Sequence, residues 1–86
     1  MLLEFGGQKY EVVLGSDVVN DGMYVELREY IPSQSQFIDT SSWKVILFAF
    51  KSEVDEDVSF SCYKEDVPFQ LVEIFVSEVK KRLLTY

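Results

Sequence analysis

The sequence predicts an α+β fold, an antiparallel meander sheet of four to five strands with one C-terminal α-helix packed across one face. Three observations predict it. Over the first two thirds of the chain apolar and polar residues alternate in short runs, the period of a strand with one buried face. Clusters of Gly, Asn, Asp, Ser and Pro separate those runs, and these are the residues of tight turns. Beyond Asp66 the apolar spacing changes to three and four residues, the period of an amphipathic helix. No repeat or linker divides the 86 residues, so the chain reads as a single domain spanning 1–86.

The elements follow in order. Leu2–Phe5 and Gln8–Leu14 flank Gly6-Gly7, a hairpin signal, because a two-residue primed turn needs positive φ at its centre. In the second run Tyr10, Val12 and Leu14 share a face. Gly15–Gly22, GSDVVNDG, reads as turn. Met23–Ile31 then alternates: Met23, Val25, Leu27 and Ile31 form an inner row interrupted by Glu29, and Tyr24, Glu26, Arg28 and Tyr30 form a wet, aromatic outer row. Pro32 has no N–H for a ladder and ends that strand. The stretch 32–42, rich in Ser and Gln, reads as a loop whose Phe37 and Ile38 tuck back over the sheet as a lid, with a binding loop as the alternative.

Trp43–Lys51, WKVILFAFK, differs from the other strands. Strict alternation puts Trp43, Val45, Leu47 and Ala49 in one row and Ile46, Phe48 and Phe50 in the other, so neither row is polar. Such a strand reads as central and covered on both faces. On that reading Phe48→Ala costs roughly 3–5 kcal/mol. One helix covers only one face; the loop, a second copy or a partner must cover the other. Ser52–Asp57 is an acidic turn. Val58–Tyr63 closes a second hairpin, with Cys62 expected as a small buried hydrophobe. Asp66 offers a helix cap with Pro68 in the first turn, and the helix runs to about Leu84. Its apolar stripe is Pro68, Leu71, Val72, Phe75, Val76, Val79 and Leu83, with Phe69 and Ile74 off the stripe, where they either pack against loops or mark extra contact surface. Lys80, Lys81 and Arg82 read as cations at the negative end of the helix dipole.

Composition narrows the function. A hydrophobic content of 48% with 15% aromatics argues against disorder. The 15 acidic against 8 basic residues give a net charge of −7, which repels nucleic acid and anionic membranes and steers basic partners inward. The absence of histidine removes the commonest general base and metal ligand, and with a single cysteine it leaves no zinc site and no histidine-dependent triad. SEVDED has neither the spacing nor the glycine of a calcium loop. No phosphate loop is present, and no cofactor is expected. The opening MLLEFGGQ lacks the basic and apolar segments of a signal peptide, and no run approaches the ~20 apolar residues of a membrane span, so cytoplasmic residence is expected.

By elimination the chain reads as a non-enzymatic, acidic protein-binding module, of the inhibitor or immunity type, that neutralises a basic partner such as a toxin nuclease. The candidate contact residues are the acidic turn Glu53, Asp55, Glu56 and Asp57, together with the outer row Tyr24, Glu26, Arg28 and Tyr30. The alternative is a homo-oligomeric structural or adaptor protein that closes the second apolar sheet face on its own copy. No motif ties the chain to a particular family.

Overall fold

The computed structural model describes residues 1–32, 41–54 and 57–84. The strands β1 (Leu2–Phe5), β2 (Gln8–Asp17), β3 (Gly22–Pro32), β4 (Ser41–Ser52) and β5 (Val58–Cys62) form one antiparallel sheet in chain order, and helix α1 (Phe69–Leu83) packs on one face. This is the α+β meander that the alternating runs predict. The expected tuck of Phe37 and Ile38 falls within 33–40 and lies outside the described residues. No described helix is long and apolar enough to cross a membrane.

The first hairpin turns on Gly6 and Gly7, with φ of 59° and 78°, a geometry that a side chain resists at both positions. The second differs from expectation. β2 runs three residues further, through Gly15, Ser16 and Asp17, so that the turn shrinks to 18–21. Aromatic rings make the two glycines suited to strand. A Cβ on Gly15 would lie 2.3 Å from the Tyr24 ring, and one on Gly22 would lie 2.4 Å from the Phe50 ring. Each ring therefore fills the space over a strand glycine, an arrangement that restores the packing glycine lacks.

The helix also starts later than expected. Phe69 is its first residue, Pro68 takes the cap position, and the Pro68 carbonyl accepts from the N–H groups of Leu71 and Val72. Asp66 is not the cap; it sits in the left-handed region at φ 56° and serves the turn from β5. Val67 precedes a proline and is pushed away from helical angles, which blocks an earlier start.

The core lies between the sheet and α1. Tyr10 and Val12 of β2, Val25 and Leu27 of β3, and Ile46, Leu47 and Ala49 of β4 meet Leu71, Phe75, Val79 and Leu83 of the helix. Two charged residues reach this layer with partners. Glu29, which interrupts the inner row of β3, receives Lys64 Nζ at 2.8 Å. Glu78 is buried and pairs with Arg82 at 2.9 Å. Lys51 donates to the Leu83 carbonyl at 3.0 Å, satisfying a helix C-terminal acceptor from the sheet. Cys62 is exposed rather than buried. β5 is an edge strand, and α1 lies chiefly against β3 and β4. Of the apolar residues in β5, Phe60 reaches the helix through a ring contact with Phe75 at 6.0 Å.

β4 overturns the two rows that strict alternation implies. Leu27 pairs with Leu47 and Arg28 with Val45, so Ile46 has no opposite residue. This is a bulge, and it turns Ile46 and Leu47 together toward the helix. Beyond it the parity is inverted. Trp43 and Val45 oppose Tyr30 and Arg28, and Phe48 and Phe50 oppose Glu26 and Tyr24, so all four lie on the face away from α1. They are half-buried there, while Ile46, Leu47 and Ala49 are fully buried beneath the helix. Phe48 is thus a surface-layer ring and not part of a second core. We expect Phe75→Ala to cost about 3–5 kcal/mol in urea unfolding. Phe48→Ala should cost about 1–2 kcal/mol, near half the value for full burial. Equal losses would place a second core on the outer face.

Candidate functional site

The face of the sheet opposite α1 carries a band of aromatic side chains. β3 contributes Tyr24, Glu26, Arg28 and Tyr30, as its alternation predicts, and β4 adds Trp43, Val45, Phe48 and Phe50 through the bulge. The rings contact across the strands. Tyr24 stacks on Phe48 at 5.7 Å between centroids, and Trp43 meets Tyr30 edge-on at 5.1 Å. Lys9 Nζ lies 5.9 Å from the Tyr30 centroid, within cation–π range. All of these rings are half-buried, and no described element crosses them.

The charges within this band are largely matched. Arg28 donates to Glu26 with contacts of 2.7 and 2.8 Å, and Glu11 stands opposite Arg28 on β2. Glu4 stands opposite Lys9 in the same way. The centre of the face is therefore aromatic and close to neutral.

The acidic residues gather at one end. Gly22 pairs with Ser52, which brings the β2–β3 and β4–β5 turns side by side, and the Glu53 N–H donates to the Asp21 carbonyl at 2.8 Å. Asp17, Asp21, Glu53 and Asp57 all belong to this end. Glu53 and Asp57 are exposed; Asp55 and Glu56 lie outside the described residues. Asp17 also orders the turn. Its carboxylate accepts from the N–H groups of Val19 and Asn20 at 3.1 Å and from the Asn20 amide at 2.8 Å. Below it a depression lined by Asp17, Asn20, Phe48, Phe50 and Ser59 joins the acidic end to the aromatic band.

The two groups of residues expected from the sequence are thus brought together only in part. Tyr24 is two residues from Gly22, at the acidic end. Tyr30 is six residues further along β3, roughly 20 Å away at 3.3 Å per residue. The site is an elongated strip, acidic at one end, rather than a compact patch. Sequence reasoning missed two components. Strict alternation sets Phe48 and Phe50 in a row with Ile46, because a bulge leaves no mark in an apolar run. In the sequence Asp17 and Asp21 read only as turn residues; the register that sets them beside Glu53 is a pairing between distant segments. Among the described residues no three His, Cys, Asp or Glu converge as metal ligands.

The Asp17 hydrogen bonds have a consequence for titration. Above all the Asn20 side-chain amide, and then the Asn20 and Val19 N–H groups, hold its carboxyl below the ordinary 3.8. A depressed acid contributes stability that is present above its unfolded value and is lost as pH falls through the folded value. We expect Asn20→Ala to raise the Asp17 carboxyl back toward 3.8 in a carbon-13 NMR titration. An unmoved titration would mean that the amide does not hold the carboxylate.

No family model matches the chain, and neither the curated proteins nor the solved structures contain a match to it.

Proposed function

We propose that the protein is a non-enzymatic binding module of the inhibitor type that occupies and neutralises a basic protein partner. It does so with the outer face of its sheet, acting in the cytoplasm, where a lone exposed thiol such as Cys62 stays reduced. The observation that carries this reading is the junction of an acidic sheet end with an aromatic band that no described element crosses. Tyr24, Tyr30, Trp43, Phe48 and Phe50 supply large contact area at low entropic cost, the composition of an interface core. Asp17, Asp21, Glu53 and Asp57, with Asp55 and Glu56 between them in sequence, supply the field that steers a Lys- or Arg-rich surface onto it. Steering acts on the rate of association, and ring burial acts on the lifetime of the complex.

A second reading uses the same face differently. The Glu26–Arg28 pairing leaves the centre of the band nearly neutral, so two copies would meet there without strong repulsion. The face would then close on itself as a homo-oligomeric interface.

Capture from the native extract at about 50 mM and about 500 mM salt separates the two readings. An inhibitor retains a basic protein at low salt, loses it at high salt, and suppresses that protein's own activity when added back. Replacing Glu53, Asp55, Glu56 and Asp57 with serine should then slow association and flatten its salt dependence. Trp43→Ser should instead speed dissociation. Recovery of the same chain alone, insensitive to salt and lost with Trp43→Ser, would replace inhibition by self-assembly.

A further inference from the structure

The depression at the acidic end of the outer face has a volume of about 420 Å³, and Asp17, Asn20, Phe48, Phe50 and Ser59 line it. The sheet register brings these residues together. Asp17 stands opposite Gly22, and the Phe50 ring lies over Gly22, so a carboxylate and a ring border the same hollow. Ser59 stands opposite Phe50, and Phe48 lies two residues along the same row of β4. None of the lining residues is basic. The Asp17 carboxyl, held below its ordinary value by the Asn20 amide above all, is charged at neutral pH. The other polar groups offer acceptors. The Ser59 hydroxyl donates to the Phe50 carbonyl at 3.4 Å, and the Asn20 amide donates to Asp17 at 2.8 Å, which leaves a hydroxyl oxygen and an amide oxygen to accept.

A negative charge, oxygen acceptors and two aromatic rings are the surroundings of an organic cation. A hard metal ion takes about six oxygen ligands, and the rings supply none. The carboxylate itself decides which organic cation fits. It has roughly four lone-pair positions. Oδ1 accepts from the N–H groups of both Val19 and Asn20, and Oδ2 accepts from the Asn20 amide. The position left open is on Oδ2. A guanidinium binds best through two parallel contacts to the two oxygens of one carboxylate, and here that edge is largely taken. An ammonium is a point charge that needs only one carboxylate oxygen and can share its other hydrogens among separate acceptors. We propose that this depression is an anchor site for a lysine side chain of the basic partner, its ammonium on Asp17 Oδ2 and its alkyl stem along Phe48 and Phe50. The proposal rests on the reading of the outer face as the surface that meets such a partner, and it makes Asp17 the residue on which the partner is seated.

An amide NMR titration of the full chain with the capped tripeptide acetyl-Gly-Lys-Gly-amide tests the site without the partner. A single side chain should bind with a Kd on the order of 1–10 mM. Shifts should saturate at Asp17, Asn20, Phe48, Phe50 and Ser59 and spare the helix. The same peptide with its lysine acetylated on the ε-amine should move none of them, and its arginine counterpart should bind about threefold or more weakly. Asp17→Asn keeps a side-chain oxygen for the Val19 and Asn20 N–H groups but removes the charge. It should weaken the lysine peptide by about threefold to tenfold. Phe48→Leu should weaken it by about threefold. Unchanged binding by Asp17→Asn, or equal binding of the acetylated or the arginine peptide, would overturn the lysine site. A basic protein captured in the salt-sensitive manner, while the lysine peptide moves none of these amides, would overturn the site and leave the inhibitor reading standing. Saturation by the lysine peptide with no basic protein captured would uphold the site and overturn that reading instead.

Discussion

One unpaired residue in β4 decides how this molecule divides its apolar side chains. Without the bulge at Ile46, Trp43 and Val45 would lie under the helix with Leu47 and Ala49. With it, two adjacent branched side chains, Ile46 and Leu47, join Phe75 and Leu71 in the core, and the largest rings of the strand pass to the other side. A 15-residue helix cannot cover a five-stranded sheet. The bulge concentrates compact aliphatic groups where the helix lies, and it leaves outside the aromatic groups that tolerate partial exposure.

The ends of the sheet are organised by the same need to satisfy groups the helix cannot reach. Glu29, at one end of the inner face, is held by Lys64 just beyond β5, whose ammonium the carboxylate keeps charged to higher pH than usual. At the other end Lys51 reaches from β4 to the last turn of α1, where backbone carbonyls have no partners of their own. The acidic turns lie at this same end, joined through Glu53 and Asp21. Like charges are brought close here because backbone pairing fixes both hairpins, and their repulsion in water is mild where they are exposed.

On the proposed function, the outer face would carry recognition through its aromatic side chains. Its rings lie against one another and over the glycines 15 and 22, so they are already ordered before any partner arrives. Ordered side chains lose less entropy when they bind. The pairings among them, Glu26 with Arg28 and Glu4 opposite Lys9, keep the band close to neutral, so that on the proposed function long-range attraction would fall to the acidic end.

By itself the sequence determined the strand order, the glycine turn at 6–7, the split of β3 into an inner and an outer row, and the Leu71, Phe75, Val79 and Leu83 members of the helix's buried stripe, whereas Val76, expected in that stripe, is 39% exposed. Each of these follows from local rules: a turn needs particular φ angles, a strand repeats every two residues, and a helix repeats every 3.6. Tertiary structure decided the rest. Gly15 and Gly22 read as turn until the Tyr24 and Phe50 rings are laid over them. Cys62 reads as core until β5 is seen at the edge of the sheet, beyond the helix's main contacts. Asp66 reads as a cap until the constraint of Pro68 on Val67 is combined with the path from β5. The largest change came from β4, where a continuous apolar run is compatible with either parity and with a bulge at any position. Only pairing with β3 on one side and packing under Phe75 on the other selects Ile46, because those contacts lie between residues distant in the chain and have no periodic signature within it.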